Sequence, residues 1–194
     1  GFLLNKNEND HLSLSIHIPE DRISVVIGNK GKTKNEICKK CNVNIEIESE
    51  TGEITITSTS KNFDQYGALK ARDIISAISS GFSPERAFRI RDEETLIQIL
   101  DLRNFTSSRN STNRIKGRII GEKGKARKNL EELTNTFISV YGHIIGLIGN
   151  YEETKLAADA IMLLINGRSH KTVYEMLNQA KRRAKIEKLQ LWEK

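Results

Sequence analysis

The chain has 194 residues and a mass of 22.0 kDa, enough for two domains of ordinary size with a modest core each. Its 31 Lys+Arg against 25 Asp+Glu give a net charge of +6 and a pI near 9.3, which favours polyanionic partners if the charge is clustered. No apolar run approaches the ~18 residues of a membrane span. The opening GFLLNKNEND is too short in apolar residues for a signal peptide, so no membrane partner and a cytoplasmic location are expected.

Leu12, Leu14, Ile16 and Ile18 alternate with Ser13, Ser15 and His17, the pattern of a strand over 11–18 with one buried face. After Pro19, DRISVVIG places Ile23, Val26 and Ile27 at helical spacing and predicts a short helix that stops at Gly28. A second helix starts after Gly31 and carries Ile37 and Cys41 on one face. VNIEIES and EITITS alternate again across an SETG turn and predict a hairpin, with Ile45 and Ile47 on one side and Glu46 and Glu48 on the other. From Asn62 to Ser79, Phe63, Tyr66, Leu69, Ile74 and Ile78 read as one helical face ending at Gly81. GFSPERAF then starts a connector helix with a serine cap.

The same order returns in TLIQILDL, STNRIKGRII, GEKG, KARKNLEEL, TFISVYG, HIIGLIG and EETKLAADAIMLLING. An offset of 93 maps Gly28 onto Gly121, Lys32 onto Lys125, Ile37 onto Leu130, Ile45 onto Ile138 and Ile47 onto Val140. The fold class expected is therefore α+β, as two tandem units of a three-stranded antiparallel sheet with helices packed on one face. The first spans 1–92, with a core over about 11–80 and the connector at 83–90; the second spans 93–194, with a core over about 95–168 and a basic helix over 169–191. Cys38 and Cys41, the only cysteines, read as partly buried thiols on a helix. None of His11, His17, His143 and His170 stands at a spacing that would complete a metal site with them, and neither metal nor cofactor is expected.

Both units place a G-x-x-G pair between two helices. Glycine tolerates positive φ and offers no side chain against an approaching strand, while the next helix presents N–H groups and the positive end of its dipole to an anionic oxygen. Around Gly121, Glu122, Lys123, Gly124 and Lys125 stand Arg114, Lys116, Arg118, Arg127 and Lys128, and from Arg109 to Asn129 eight cations face Glu122 alone. The first copy, with Gly28, Asn29, Lys30, Gly31, Lys32 and Lys34, has six cations against one carboxylate from Arg22 to Lys40. Positive charge concentrated twice around a phosphate-suited turn points to nucleic acid. Aspartate at Gly121 and Gly124 is expected to remove that binding and leave the fold intact.

RIKGRIIGEKGKARKNLEEL resembles the signature of KH domains, with Gly117, Ile119, Ile120, Gly121, Gly124 and Leu130 at the motif positions. VVIGNKGKTKNEI resembles it too, with Ser24 where the family has a small glycine. The element order is that of the type I, eukaryotic topology. Together with GFSPERAF, ISVYG and HKTVYEML, the tandem arrangement resembles the archaeal form of the Partner-of-NOB-one family of small-subunit ribosome assembly factors, over nearly the whole chain. The resemblance implies a non-enzymatic protein that binds the single-stranded 3′ region of the small-subunit rRNA precursor and meets the 3′-end rRNA nuclease and the rRNA dimethylase; a monomer is expected. The second copy is expected to bind more strongly, because its motif is fuller and its strand TFISVYG lacks the carboxylates of VNIEIES. Phe137 and Tyr141 are expected to pack rather than to stack a base. A KH-fold protein scaffold with secondary RNA contact, or a subunit of another RNA-processing complex, stays open. An ATPase does not fit: Val26 and Ile119 stand where a Walker loop needs its first glycine.

Overall fold

The computed structural model describes residues 5–6, 12–59 and 65–193. The chain divides into two compact units, one ending at Ile97 and the other beginning at Gln98.

The first unit runs β1 (Asn5–Lys6), β2 (Leu12–His17), α1 (Glu20–Ile27), α2 (Lys32–Cys41), β3 (Val43–Glu48), β4 (Glu53–Ser58), α3 (Gln65–Ser79) and α4 (Pro84–Ala87). Its sheet has the order β1-β2-β4-β3, so the three expected strands gain a two-residue fourth at the β2 edge. Pairing is antiparallel throughout, with Ile16 opposite Ile54 and Ile45 opposite Ile56. That register sets the isoleucines of one face over α1, α2 and α3, where Val26, Ile37, Ile54, Ile56, Ile74 and Ile78 are fully buried. Glu46 and Glu48 are exposed on the opposite face.

The α3 stripe differs from the predicted one. Ala68, Ala71, Ile74, Ile75 and Ile78 are buried, whereas Tyr66 and Leu69 are exposed; Phe63 lies outside the described residues. The i, i+3, i+4 spacing closes through the two alanines, which let α3 approach the sheet closely, and rotates Tyr66 and Leu69 outward. Buried Lys70 reaches off the same helix and donates to the carbonyls of Asp92 (2.8 Å) and Thr95 (2.9 Å), tying down the segment after the connector. That connector is α4 followed by a 3₁₀ turn over Phe88–Arg91, with Ser83 accepting from the Arg86 N–H and Pro84 in the first turn.

The second unit, entered within β5 (Leu96–Asp101), continues with α5 (Arg109–Ile120), α6 (Lys125–Thr134), β6 (Phe137–Tyr141), β7 (Ile144–Gly149), α7 (Tyr151–Ile165) and α8 (His170–Trp192). Its sheet order is β5-β7-β6, with β6 and β7 antiparallel. Ile115, Ile119, Leu130, Ile138, Leu147, Ile161 and Leu164 form the core, and α8 closes it through Val173 and Leu177. Both sheets with their helices form the mixed α+β arrangement expected. α5 starts two residues before the predicted helix because Ser108 accepts from the Ser111 N–H and caps it there. α7 opens on a reciprocal capping box between Asn150 and Glu153. α8 is longer than its packing: every residue from Lys181 to Glu193 is exposed. Among the described residues no helix is long and apolar enough to cross a membrane.

Candidate nucleic-acid interface

The two glycine turns have one backbone. Gly28 and Gly121 have φ/ψ of 76/175° and 73/177°, Lys30 and Lys123 54/30° and 54/26°, and Gly31 and Gly124 75/12° and 75/13°. Each turn is a single 3₁₀ step, Asn29–Gly31 or Glu122–Gly124, closed by the N–H of the second glycine bonding to the carbonyl of the first at 3.2 and 3.3 Å.

The two glycines of each pair serve different ends. A Cβ on Gly121 would sit 2.6 Å from the Ala126 Cβ, and one on Gly28 2.3 Å from the Thr33 Oγ1, so the first glycine lets the turn fold back against the next helix. A Cβ on Gly31 or Gly124 would meet nothing closer than 3.7 Å. There glycine supplies only the left-handed φ and leaves an open surface. The expectation that aspartate at Gly121 would spare the fold is thus corrected: that position has no room for any side chain. The exposed residues at the middle of each turn, Asn29 with Lys30 and Glu122 with Lys123, can be changed without such a clash.

Serine or asparagine side chains cap α4, α5, α7 and α8, whereas no side chain caps α1, which follows Pro19, nor α2 and α6, whose N-cap residues are Gly31 and Gly124. Each of those two ends thus presents its positive dipole to solvent with lysines beside it. Lys30, Lys32, Lys123, Lys125 and Lys128 are exposed, Arg114 is exposed on α5, and Lys34, Lys116 and Arg127 are half-buried.

Arg118 is committed elsewhere. Its Nη1 donates to the Leu164 carbonyl at 2.7 Å and its Nη2 to the Arg168 carbonyl, so it ties α5 to the end of α7, while the His170 ring meets the Arg118 carbonyl at 2.7 Å. Arg22, which the motif reading did not single out, does the same work in the first unit through Ile78 O (2.8 Å) and Phe82 O (3.0 Å). Burial pulls its guanidinium below the ordinary arginine range, against the pull of Asp21. The two arginines are not at equivalent positions in the repeat, yet each satisfies carbonyls four residues apart at the end of the long helix. Residue spacing alone gave no sign of this, because it depends on where α3 and α7 end.

Arg127 is held as well. Its Nη1 lies 3.3 Å from the Ile138 carbonyl and 3.7 Å from Glu131, and Glu131 Oε2 accepts from the Ile138 N–H at 2.9 Å. Glu131 was absent from the predicted set, although its i, i+4 spacing from Arg127 is visible in the sequence. Phe137 and Tyr141 are half-buried, as is Cys38 on α2, and Cys41 is buried; both cysteines are free thiols.

A family model of the KH domain matches residues 13–77, and a second, the eukaryotic type KH-domain (KH-domain type I) that occurs second in PNO1, matches residues 96–182. The chain is a tandem KH-domain protein of the PNO1, or Partner-of-NOB-one, family. It is 38% identical over 179 residues to the KH domain-containing protein MJ0443 of Methanocaldococcus jannaschii, covering 92% of this chain and 78% of that protein. Among solved structures it is similar to Dim2p of Pyrococcus horikoshii (44% identity, TM-score 0.81, 86% of this chain and 98% of that one). A protein of unknown function from Aeropyrum pernix, APE0754, gives a TM-score of 0.89 at 36% identity over 93% of this chain and 97% of its own. A chain of the a/eIF2alpha-aDim2p-rRNA complex of P. horikoshii gives 0.86 at 43% identity, with 91% and 97% covered. The tandem KH architecture therefore extends over most of the chain, and both glycine turns lie inside the matched segments.

Proposed function

We propose that this tandem KH protein is a single-stranded RNA-binding factor of small ribosomal subunit assembly that grips the 3′ region of the small-subunit rRNA precursor through its G-x-x-G turns, mainly the second. One observation carries the reading: two turns of identical backbone, each opening a helix that no side chain caps, each ringed by exposed lysines. The presence of aDim2p in a complex with rRNA supports it. The weight on the second unit rests on its denser cations: Arg109, Arg114, Lys123, Lys125 and Lys128 are exposed there, against Lys30, Lys32, Lys39 and Lys40 in the first. The factor acts by binding, without catalysis of its own, as a cytoplasmic monomer that meets the 3′-end nuclease and the dimethylase.

The test is binding of the full chain to a 3′-terminal small-subunit rRNA oligonucleotide, measured by fluorescence anisotropy against a duplex of the same sequence and over a salt series. Preference for the single strand and a linear fall of log affinity with log salt are expected. Equal binding to duplex and single strand, or salt-independent binding, would overturn the reading.

A further inference from the structure

In the second unit the edge of the sheet beside the glycine turn is occupied by side chains of its own helix. β6 is the outer strand of the order β5-β7-β6. On the side away from β7, the Ile138 N–H donates to Glu131 at 2.9 Å and the Ile138 carbonyl faces Arg127 at 3.3 Å. Both side chains come from α6, the helix that starts at Gly124. In the furrow between α6 and β6 a carboxylate acceptor therefore stands next to a guanidinium donor.

The Glu131 side chain is only 12% exposed and that of Arg127 31%. A carboxylate so withdrawn from water needs donors, and anything that enters the furrow and displaces the Ile138 N–H must supply one in its place. A base offering an oxygen at that point meets like charge instead.

The first unit has the same wall with other chemistry. Lys34, Cys38 and Ile45 stand 93 residues before Arg127, Glu131 and Ile138. Cys38 is a half-buried thiol in place of the carboxylate, and burial pushes it above the ordinary thiol range, outweighing the Ile45 backbone and the Lys34 charge; a thiol is only a weak acceptor.

We infer that Glu131 is the base-discriminating residue of the second unit: it accepts an N–H from a base carrying an exocyclic amine, namely adenine, cytosine or guanine, and selects against uracil. Uracil's one Watson–Crick donor, N3–H, lies between two carbonyl oxygens, which an approaching carboxylate meets first. The amine-bearing bases present a donor at the rim of the same edge and leave a ring or carbonyl acceptor for Arg127. Cys38 imposes no such demand, so the two units read a strand by different rules. This inference rests on the RNA reading above.

The test is selection of a randomised single-stranded RNA pool on the full chain, followed by sequencing, for the wild type, Glu131→Gln and Cys38→Ala. The amide of Glu131→Gln still accepts from Ile138 but also donates, and thermal unfolding checks that it folds. In the wild type one position should be depleted of uracil at least about fivefold; Glu131→Gln should restore uracil there to within about twofold of the other bases, and Cys38→Ala should leave the depletion in place. If the wild type selects RNA without a uracil-depleted position, or Glu131→Gln keeps the depletion, the inference is overturned and the RNA reading stands. If the wild type retains no RNA, both fall.

Discussion

The two glycine turns share every backbone angle to within a few degrees, yet the walls around them share little. One has Lys34 and Cys38 where the other has the Arg127–Glu131 pair. Even the clamp that fixes the preceding helix is an arginine at different heights, Arg22 in one unit and Arg118 in the other. What the repeat preserves is the path of the chain, enforced by close packing and by glycine conformations. What varies is the set of charges and donors that a ligand meets.

The largest effect should come from breaking the shared path. Gly121→Ala forces a Cβ into Ala126 in a conformation open to glycine alone and should lower stability by about 3 kcal/mol or more, whereas Gly124→Ala carries only backbone strain of about 1–2 kcal/mol. Urea unfolding of the two variants measures the difference; equal losses would refute the division of labour between the glycines.

The clamps come next. Arg118→Ala leaves the Leu164 and Arg168 carbonyls without their cation and should lower stability by about 2 kcal/mol, against little change for exposed Arg114→Ala. The same denaturant series shows whether Arg118 is structural or ligand-facing: retained stability with lost RNA affinity would reverse the assignment.

The difference in chemistry is sharpened by the turn lysines. Lys123→Asp should weaken RNA binding about tenfold with unfolding unchanged, and Lys30→Asp by less. Anisotropy titrations at fixed salt compare them; a larger loss for Lys30→Asp would make the first unit the dominant binder.

The smallest effect separates the units by pH. In the second unit, a bond from the Arg103 side chain, countered in part by burial and aided by the Arg103 N–H, holds the Asp101 carboxyl down to about 2. Because the folded value lies below the unfolded one, its stabilisation is present above about pH 4 and is lost as pH falls toward 2. Arg103→Ala should flatten the acid limb of the thermal stability curve over that window, and an unchanged limb would exclude Asp101 as a contributor.

Much of this could be read from residue order. The alternation in LSLSIHI and VNIEIE, the serine cap of the connector and the glycine pairs are local signals, each set by a few neighbouring residues, and the structure places those strands, the start of α4 and the turns where they stand. Tyr66 and Leu69 were misread because apolar character was weighed above size: the stripe that faces the sheet runs through Ala68 and Ala71. The arginines were misread for a different reason. Charge counts treat Arg114, Arg118 and Arg127 alike, but two of them lie within reach of carbonyls whose positions depend on the ends of other elements.

By itself the sequence determined the doubled unit, its α+β order and the paired turns, because periodicity, caps and glycine act over one or two turns of chain. Only the tertiary structure decided which glycine has room for a ligand, which cations remain exposed and which carboxylate lines the furrow. Those outcomes depend on contacts between residues far apart in the chain, and hydrogen bonds to carbonyls dozens of residues away leave no mark on local spacing.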